Sequence, residues 1–455
     1  MPESQPQEPP EPDRDARGHG ASDHSDAPGA PGPGALVLCG ARLADGRTVD
    51  VRIDRGRIEA VAPAGGPASS SPPRATRIAL AGHLLLPAPA EPHAHHDTAL
   101  TAEPDAGPAP PSASGHGSRG PDDPGSVRRR TVQAALLQLG HGATALRTHV
   151  RIGDAMGLRA LEAVLEARHA LRGLVELTAV AVPRVLTGTT GSSGLAMLRD
   201  AVGMGASAVG GCPDLDPDPV GHARAVLETA AEHGCPADLH TRGADPVRLL
   251  RLAAMADGLG PKVTVGPCDG LARLPPGVTA RTAEALAAAG ITVVCLPQGG
   301  CGLLGRAAGD ARTAPVRLLR AAGVRVAAGS GALRDADNPV GRGDPLEAAY
   351  LLASRGEADP RTAYEAVSEQ ARRAMGLPVV RIEAGFPAEL LAVRGDTVAG
   401  ALSLAYSRLV IHRGRVVART SAVREYCDVT DGARPAGPAD GHPATGPELP
   451  RQSQR

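Results

Sequence analysis

Aromatic residues are almost missing from this 455-residue chain, which has no Trp, one Phe and four Tyr. A core or ligand pocket built around rings is therefore excluded, and Ala, Val and Leu must fill the interior. With 42% hydrophobic residues they are numerous enough to do so. Lysine is equally scarce, since of 48 basic residues only Lys262 is not an arginine. That usage suggests a GC-rich bacterial genome rather than a functional code. The formal net charge is -1 and no basic stripe is present, which argues against nucleic acid as a partner. No apolar run approaches the ~18 residues of a membrane span, so no membrane partner is expected. The first residues lack the basic start and apolar stretch of a secretory signal. Seven scattered cysteines without a C-x-x-C pair form neither a disulfide framework nor a structural zinc knuckle. These absences lead us to expect a reduced, cytoplasmic protein.

Glycine and proline, in contrast, are abundant (57 and 43). They concentrate in residues 1–34, 103–126 and 431–455, three segments without apolar period that read as disordered. Elsewhere the chain alternates. Strand-like runs occur at 84–89, 143–152, 175–182, 206–212, 237–241, 262–267, 291–297 and 324–329. Ala/Leu/Arg/Glu-rich helical stretches stand between them, such as 157–171, 221–234, 246–257 and 281–289. Eight such runs predict an α/β fold, a (β/α)8 TIM barrel over 89–382. Residues 35–88 and 383–430 instead show period-two alternation with D-G and R-G turn signals. They are expected to pair as a small β-sandwich domain built from both chain ends.

In a barrel the chemistry sits at the C-terminal ends of the strands. The first strand leads into Glu91-Pro92-His93-Ala94-His95-His96-Asp97. His93 and His95 are two apart, so on an extended strand both rings face one side, a spacing suited to two ligands of one metal ion. His96 should point away. His240 closes the fifth strand and makes a three-histidine site credible, with a single Zn or Fe(II) as its natural occupant. His149, at the end of the second strand, reads more simply as a hydrogen-bonded barrel residue. Cys268, Cys295 and Cys301 read as small buried apolar residues.

The chain resembles the cytosine deaminase branch of the metal-dependent amidohydrolase superfamily from about residue 36 to 427. The likeness rests on E-P-H-A-H-H-D-T (91–98), L-R-T-H-V-R-I-G-D (146–154), A-D-L-H (237–240), R-D-A-D-N-P-V-G-R-G-D (334–344) and R-G-R-V-V-A (413–418). The resemblance implies a barrel with a small β-domain, and hydrolytic deamination of a cytosine-like ring at a single metal. It also implies a proton-shuttling glutamate, a polarising histidine and a metal-binding aspartate. At those positions this chain has Gly243, Pro267 and Gly331. The substrate-contacting glutamine implied after the third strand falls on Pro183-Arg184.

Three readings follow from these residues. The first is an amidohydrolase homologue, a hydrolase fold for C–N bonds other than peptide bonds, that is impaired in deamination. The second is a hydrolase of altered chemistry using a His93–His95–His240 metal site. The third is a non-catalytic ligand-binding or subunit protein, with Arg184 and Arg242 at the barrel mouth as candidate contacts to an anionic small molecule. A homo-oligomer, or association with an active relative, would suit the first and third. The readings differ on whether metal is held at all. Asp245, Asp269 and Asp335 lie near enough in sequence to be considered as substitute acids, but read as loop charges.

Overall fold

The computed structural model describes residues 35–66, 75–102 and 123–422, apart from 154, 259, 261, 300, 302, 303 and 305–311. The expected disordered tails, and most of the 103–126 tract, lie outside the described residues. The end of that tract is helical. Asp123 accepts a hydrogen bond from the Ser126 backbone N–H and caps the helix Pro124–Gly140, with proline in its first turn.

Six strands precede that helix: β1 (Leu36–Arg42), β2 (Thr48–Asp54), β3 (Arg57–Pro63), β4 (Thr76–Ala79), β5 (His83–Pro87) and β6 (Ala90–Ala94). Then follow β7 (Ala145–Ile152), β8 (Glu176–Pro183), β9 (Ala208–Gly211), β10 (Ala237–Thr241), β11 (Val263–Pro267), β12 (Thr292–Cys295) and β13 (Arg325–Ala328). The last three strands are β14 (Leu390–Arg394), β15 (Arg408–His412) and β16 (Arg415–Thr420). Strands β6 to β13 pair in parallel in chain order, with helices between most of them. The seam between β6 and β13 is bridged at Ala94 and Gly331, so the sheet curls into the expected barrel. Its strands are buried nearly throughout, as sheets covered on both faces require.

The run at 84–89 is not the first barrel strand. Most of it forms β5, which pairs antiparallel with β14, Leu86 opposite Leu391 and Leu84 opposite Val393. The barrel begins at Ala90, in a strand whose Glu91, Pro92 and His93 hide it from an apolar-run search. The remaining strands form one hydrogen-bonded path from both chain ends, in the order β16-β15-β14-β5-β1-β2-β3, with β4 on β1. Leu38, Val51, Ile53 and Leu85 from the early strands pack with Leu390, Ala392 and Ile411 from the late ones in a core separate from the barrel's. No helix among the described residues is long and apolar enough to cross a membrane.

Candidate metal centre

At the C-terminal end of the barrel four imidazoles converge. His93 lies on β6 and His95 just beyond it, while His149 comes from β7 and His240 from β10. One ring nitrogen of each lies within 4.8 Å of one from every other. Three of the rings are 0% exposed and His95 is 3% exposed. His93 Nε2 and His95 Nε2 are 3.3 Å apart, so the H-x-H spacing places both rings on one side as the strand period demands. His96 turns the other way and meets Gln138 Oε1 at 2.7 Å.

The donor set suits a metal ion. Two nitrogens at ~2.05 Å from a tetrahedral zinc stand about 3.3 Å apart, matching the His93–His95 separation. Neither nitrogen of the buried His240 ring has a hydrogen-bond partner, and His93 Nδ1 has none either. An unpaired buried polar atom costs about 1–3 kcal/mol, a cost that ligation removes for the one His240 nitrogen that binds. His93 faces the site with Nε2, so its Nδ1 gains nothing from the ion. Burial, and then the nearby His149, press His93 and His240 well below 6.5 and His95 down to about 3. Neutral imidazole is the ligating form.

His149 belongs to this group, contrary to the simpler expectation, yet it also makes the barrel contacts that expectation named. Its Nδ1 is 3.4 Å from the Ala94 carbonyl. Its Nε2 is 3.2 Å from Asp238 Oδ2, off the direction a hydrogen bond needs, and its ring is tilted against that of His93. Asp238 also accepts a hydrogen bond from Arg147 at 3.0 Å. Burial opposes its charge, but His149 and Arg147 prevail and hold it well below the carboxylate range.

Two further carboxylates border the cluster. Glu91 reaches across the barrel seam and accepts from the backbone N–H and the hydroxyl of Ser330, and from the His93 backbone N–H. Burial nevertheless raises it to about 7. Asp97 is paired with Arg151 at 3.1 Å. Gly329 permits the Glu91 contact, since a Cβ there would lie 2.5 Å from Glu91 Oε1.

Gly243, Pro267 and Gly331 stand at the ends of β10, β11 and β13, around the same rim. Gly243 has φ +67° and Gly331 φ +71°, a left-handed region that side-chain-bearing residues avoid. A Cβ on Gly243 would meet Leu249 Cδ1 at 3.1 Å and Leu271 Cγ at 3.2 Å. The aspartates considered as substitutes are all engaged elsewhere. Asp245 caps the helix Pro246–Ala256, Asp269 is ion-paired with Arg242 at 2.8 Å, and Asp335 accepts from Thr98 and from the backbone of Asp337 and Asn338. Arg242 is thus held locally. Arg184 is exposed and makes no hydrogen bond or ion pair with a described residue. The structure brings neither arginine into the histidine cluster.

Cys301, read from sequence as a small buried apolar residue, is indeed buried but lies against the centre. Its Sγ is 3.8 Å from His93 Nε2 and 3.7 Å from His95 Nε2.

A parallel-stranded barrel with clustered imidazoles at its C-terminal rim and a sheet from both chain ends is the architecture of metal-dependent amidohydrolases. The model of the Amidohydrolase family matches residues 128–418, and the chain belongs to that family. It is 30% identical over 322 residues to the pterin deaminase of Rhizobium rhizogenes, covering 68% of this chain and 73% of the relative. Among solved structures, the N-isopropylammelide isopropylaminohydrolase of Burkholderia multivorans superposes with TM-score 0.74 at 28% identity, covering 86% of this chain and 100% of that one. The 5-methylcytosine deaminase of Klebsiella pneumoniae shares the fold, with TM-score 0.73 at 22% identity over 86% of this chain and all of its own. The homologues act on C–N bonds, and the family is typically metal-dependent.

Proposed function

We propose that this chain is a metal-holding amidohydrolase homologue that does not deaminate ring substrates of the kind its relatives' names describe. One observation carries the reading: where the resemblance calls for Glu, His and Asp, the rim bears Gly243, Pro267 and Gly331, none with a side chain able to move a proton. His93, His95 and His240 would hold the ion, which supplies Lewis acidity when bound. The remaining residues position rather than transfer. Asp238, bound by Arg147, lies beside the His149 ring, Glu91 spends its acceptor capacity on Ser330 and the His93 backbone, and Asp97 is tied to Arg151. A general acid or base contributes ~10²–10⁴ in rate, so losing even one of the implied groups is crippling. Such a protein serves as a ligand-binding barrel or as a subunit beside an active relative.

Ammonia release from pterin and from cytosine by zinc- or iron-loaded protein is expected to match that of buffer. Turnover at ~1 s⁻¹ or faster, the ordinary enzymatic range, would overturn the reading. Gly243→Glu is expected not to restore activity. The backbone at φ +67° and the Leu249 and Leu271 walls oppose any side chain there. That variant should instead lose about 1–3 kcal/mol of stability in urea unfolding, and a variant as stable as wild type would contradict the packing argument.

A further inference from the structure

We infer that Cys301 is a thiolate ligand of the ion held by His93 and His95, closing the coordination position that a hydrolytic centre keeps open. The inference rests on the metal-holding reading above and extends it to the ligand set. On a tetrahedral zinc with Zn–S ~2.3 Å and Zn–N ~2.05 Å, sulfur and nitrogen stand about 3.55 Å apart. The Cys301 Sγ distances of 3.8 and 3.7 Å to the two Nε2 atoms lie within a few tenths of an ångström of that value. The sulfur therefore faces the very nitrogens whose mutual 3.3 Å spacing also fits one ion. Cys301 is 4% exposed, largely shielded from bulk solvent.

A second, independent observation marks the same spot as a ligand site. The His240 ring, 0% exposed and 4.6 Å from the His93 ring centroid, leaves both nitrogens without partners. His149 completes the four-imidazole cluster but lies against the Ala94 carbonyl and Asp238. With His240 as the third imidazole the protein would supply four ligands, three imidazoles and one thiolate, and four protein ligands are the mark of a structural rather than a catalytic zinc.

Charge points the same way. A divalent ion among neutral imidazoles keeps its full charge in a buried place, which is unfavourable. Gly331 stands where the resemblance puts an anionic ligand. A thiolate from the loop after β12 would return that negative charge from a different strand. On binding, the Cys301 S–H bond breaks, its proton leaves to solvent, and sulfur donates the electron pair to the metal. Soft sulfur would also shift selectivity toward zinc and away from magnesium or calcium.

Cobalt(II) titration of chelator-treated, reduced full-length protein under anaerobic conditions tests this. The expected result is one cobalt per chain with visible bands of tetrahedral intensity. A sulfur-to-cobalt charge-transfer band should appear in the near ultraviolet, with roughly one proton released per ion. In Cys301→Ser the charge-transfer band and the proton release should disappear, and affinity should fall at least ~10-fold, since even the loss of an outer-shell partner costs that much. Cys212→Ser, which removes another buried thiol, should keep the band. Cobalt bound by the wild type without a charge-transfer band, or with a band that survives in Cys301→Ser, would overturn the ligand assignment and leave the metal-holding reading standing. No cobalt bound at all would overturn both. A wild type without the band overturns the assignment whether or not a variant folds, and Cys301→Ala repeats the comparison should Cys301→Ser fail to fold.

Discussion

Replacing Arg408 by alanine is expected to lower the free energy of unfolding by about 3–5 kcal/mol, the cost of stripping one partner from a buried ion pair. Arg408 lies on β15, and its guanidinium donates to both oxygens of Asp344, Nη1 to Oδ1 at 2.9 Å and Nη2 to Oδ2 at 2.6 Å. It also donates to the carbonyls of His141 and Ala405. The two side chains are 5% and 4% exposed. Asp344 meanwhile caps the barrel helix Pro345–Ser354, accepting from the Leu346 backbone N–H. One guanidinium thus fastens the two-ended sheet to the barrel.

Burial alone would raise the Asp344 carboxyl, but the hydrogen bonds and charge of Arg408 outweigh it and hold the group below 3.8. In the wild type its contribution is therefore complete above pH ~4 and is lost as pH falls through the lowered folded value. Without Arg408 the strongest lowering influence is gone and the folded value moves up against the opposing burial. The stability deficit of the variant should then widen from acid toward neutral pH. Urea unfolding at several pH values measures this, and a deficit under ~1 kcal/mol that ignores pH would contradict the argument.

Zinc at 100 times its dissociation constant is expected to stabilise the wild type by about 2.7 kcal/mol, because only the folded barrel assembles the site. The midpoint of thermal unfolding should rise by several degrees. In His240→Ala this rise should vanish or shrink to a small fraction. Excess zinc that leaves the wild-type midpoint unchanged would remove the basis for a resident ion. A rise of equal size in His240→Ala would place the ion elsewhere.

The parts of this site that the sequence revealed share one property, which is that their geometry is local. His93 and His95 meet because a strand repeats every two residues, and their place at a strand end follows from the alternation of apolar runs and helices. His240 could be added because it too closes a strand. Cys301 offered no such signal. Its partners lie on β6 and just beyond it, far off in sequence, and only the fold brings its sulfur beside them. His149 was visible as a strand-end histidine, but which way its ring faced depends on Asp238 from β10. Arg242 is a candidate anion contact by sequence, and only the fold shows that Asp269 pairs with it. The first barrel strand was misplaced for a related reason. Only its pairing with β7, not its composition, distinguishes Ala90–Ala94 from a loop.

The join between β5 and β6 has a consequence for how the chain is made. Only Ala88 and Pro89 separate the last early strand of the two-ended sheet from the first strand of the barrel. Both leave the ribosome early, yet the free edge of β5 waits for β14, and that of β6 waits for the segment after β13. Leu86 and its partner Leu391 are roughly 300 residues apart, a separation that slows closure. Throughout most of synthesis the nascent protein therefore carries two unpaired strand edges side by side, flanked by Leu84, Leu85 and Leu86. Such edges invite pairing with other chains. Ribosome-bound intermediates stalled before β14 should be the species that most need a chaperone.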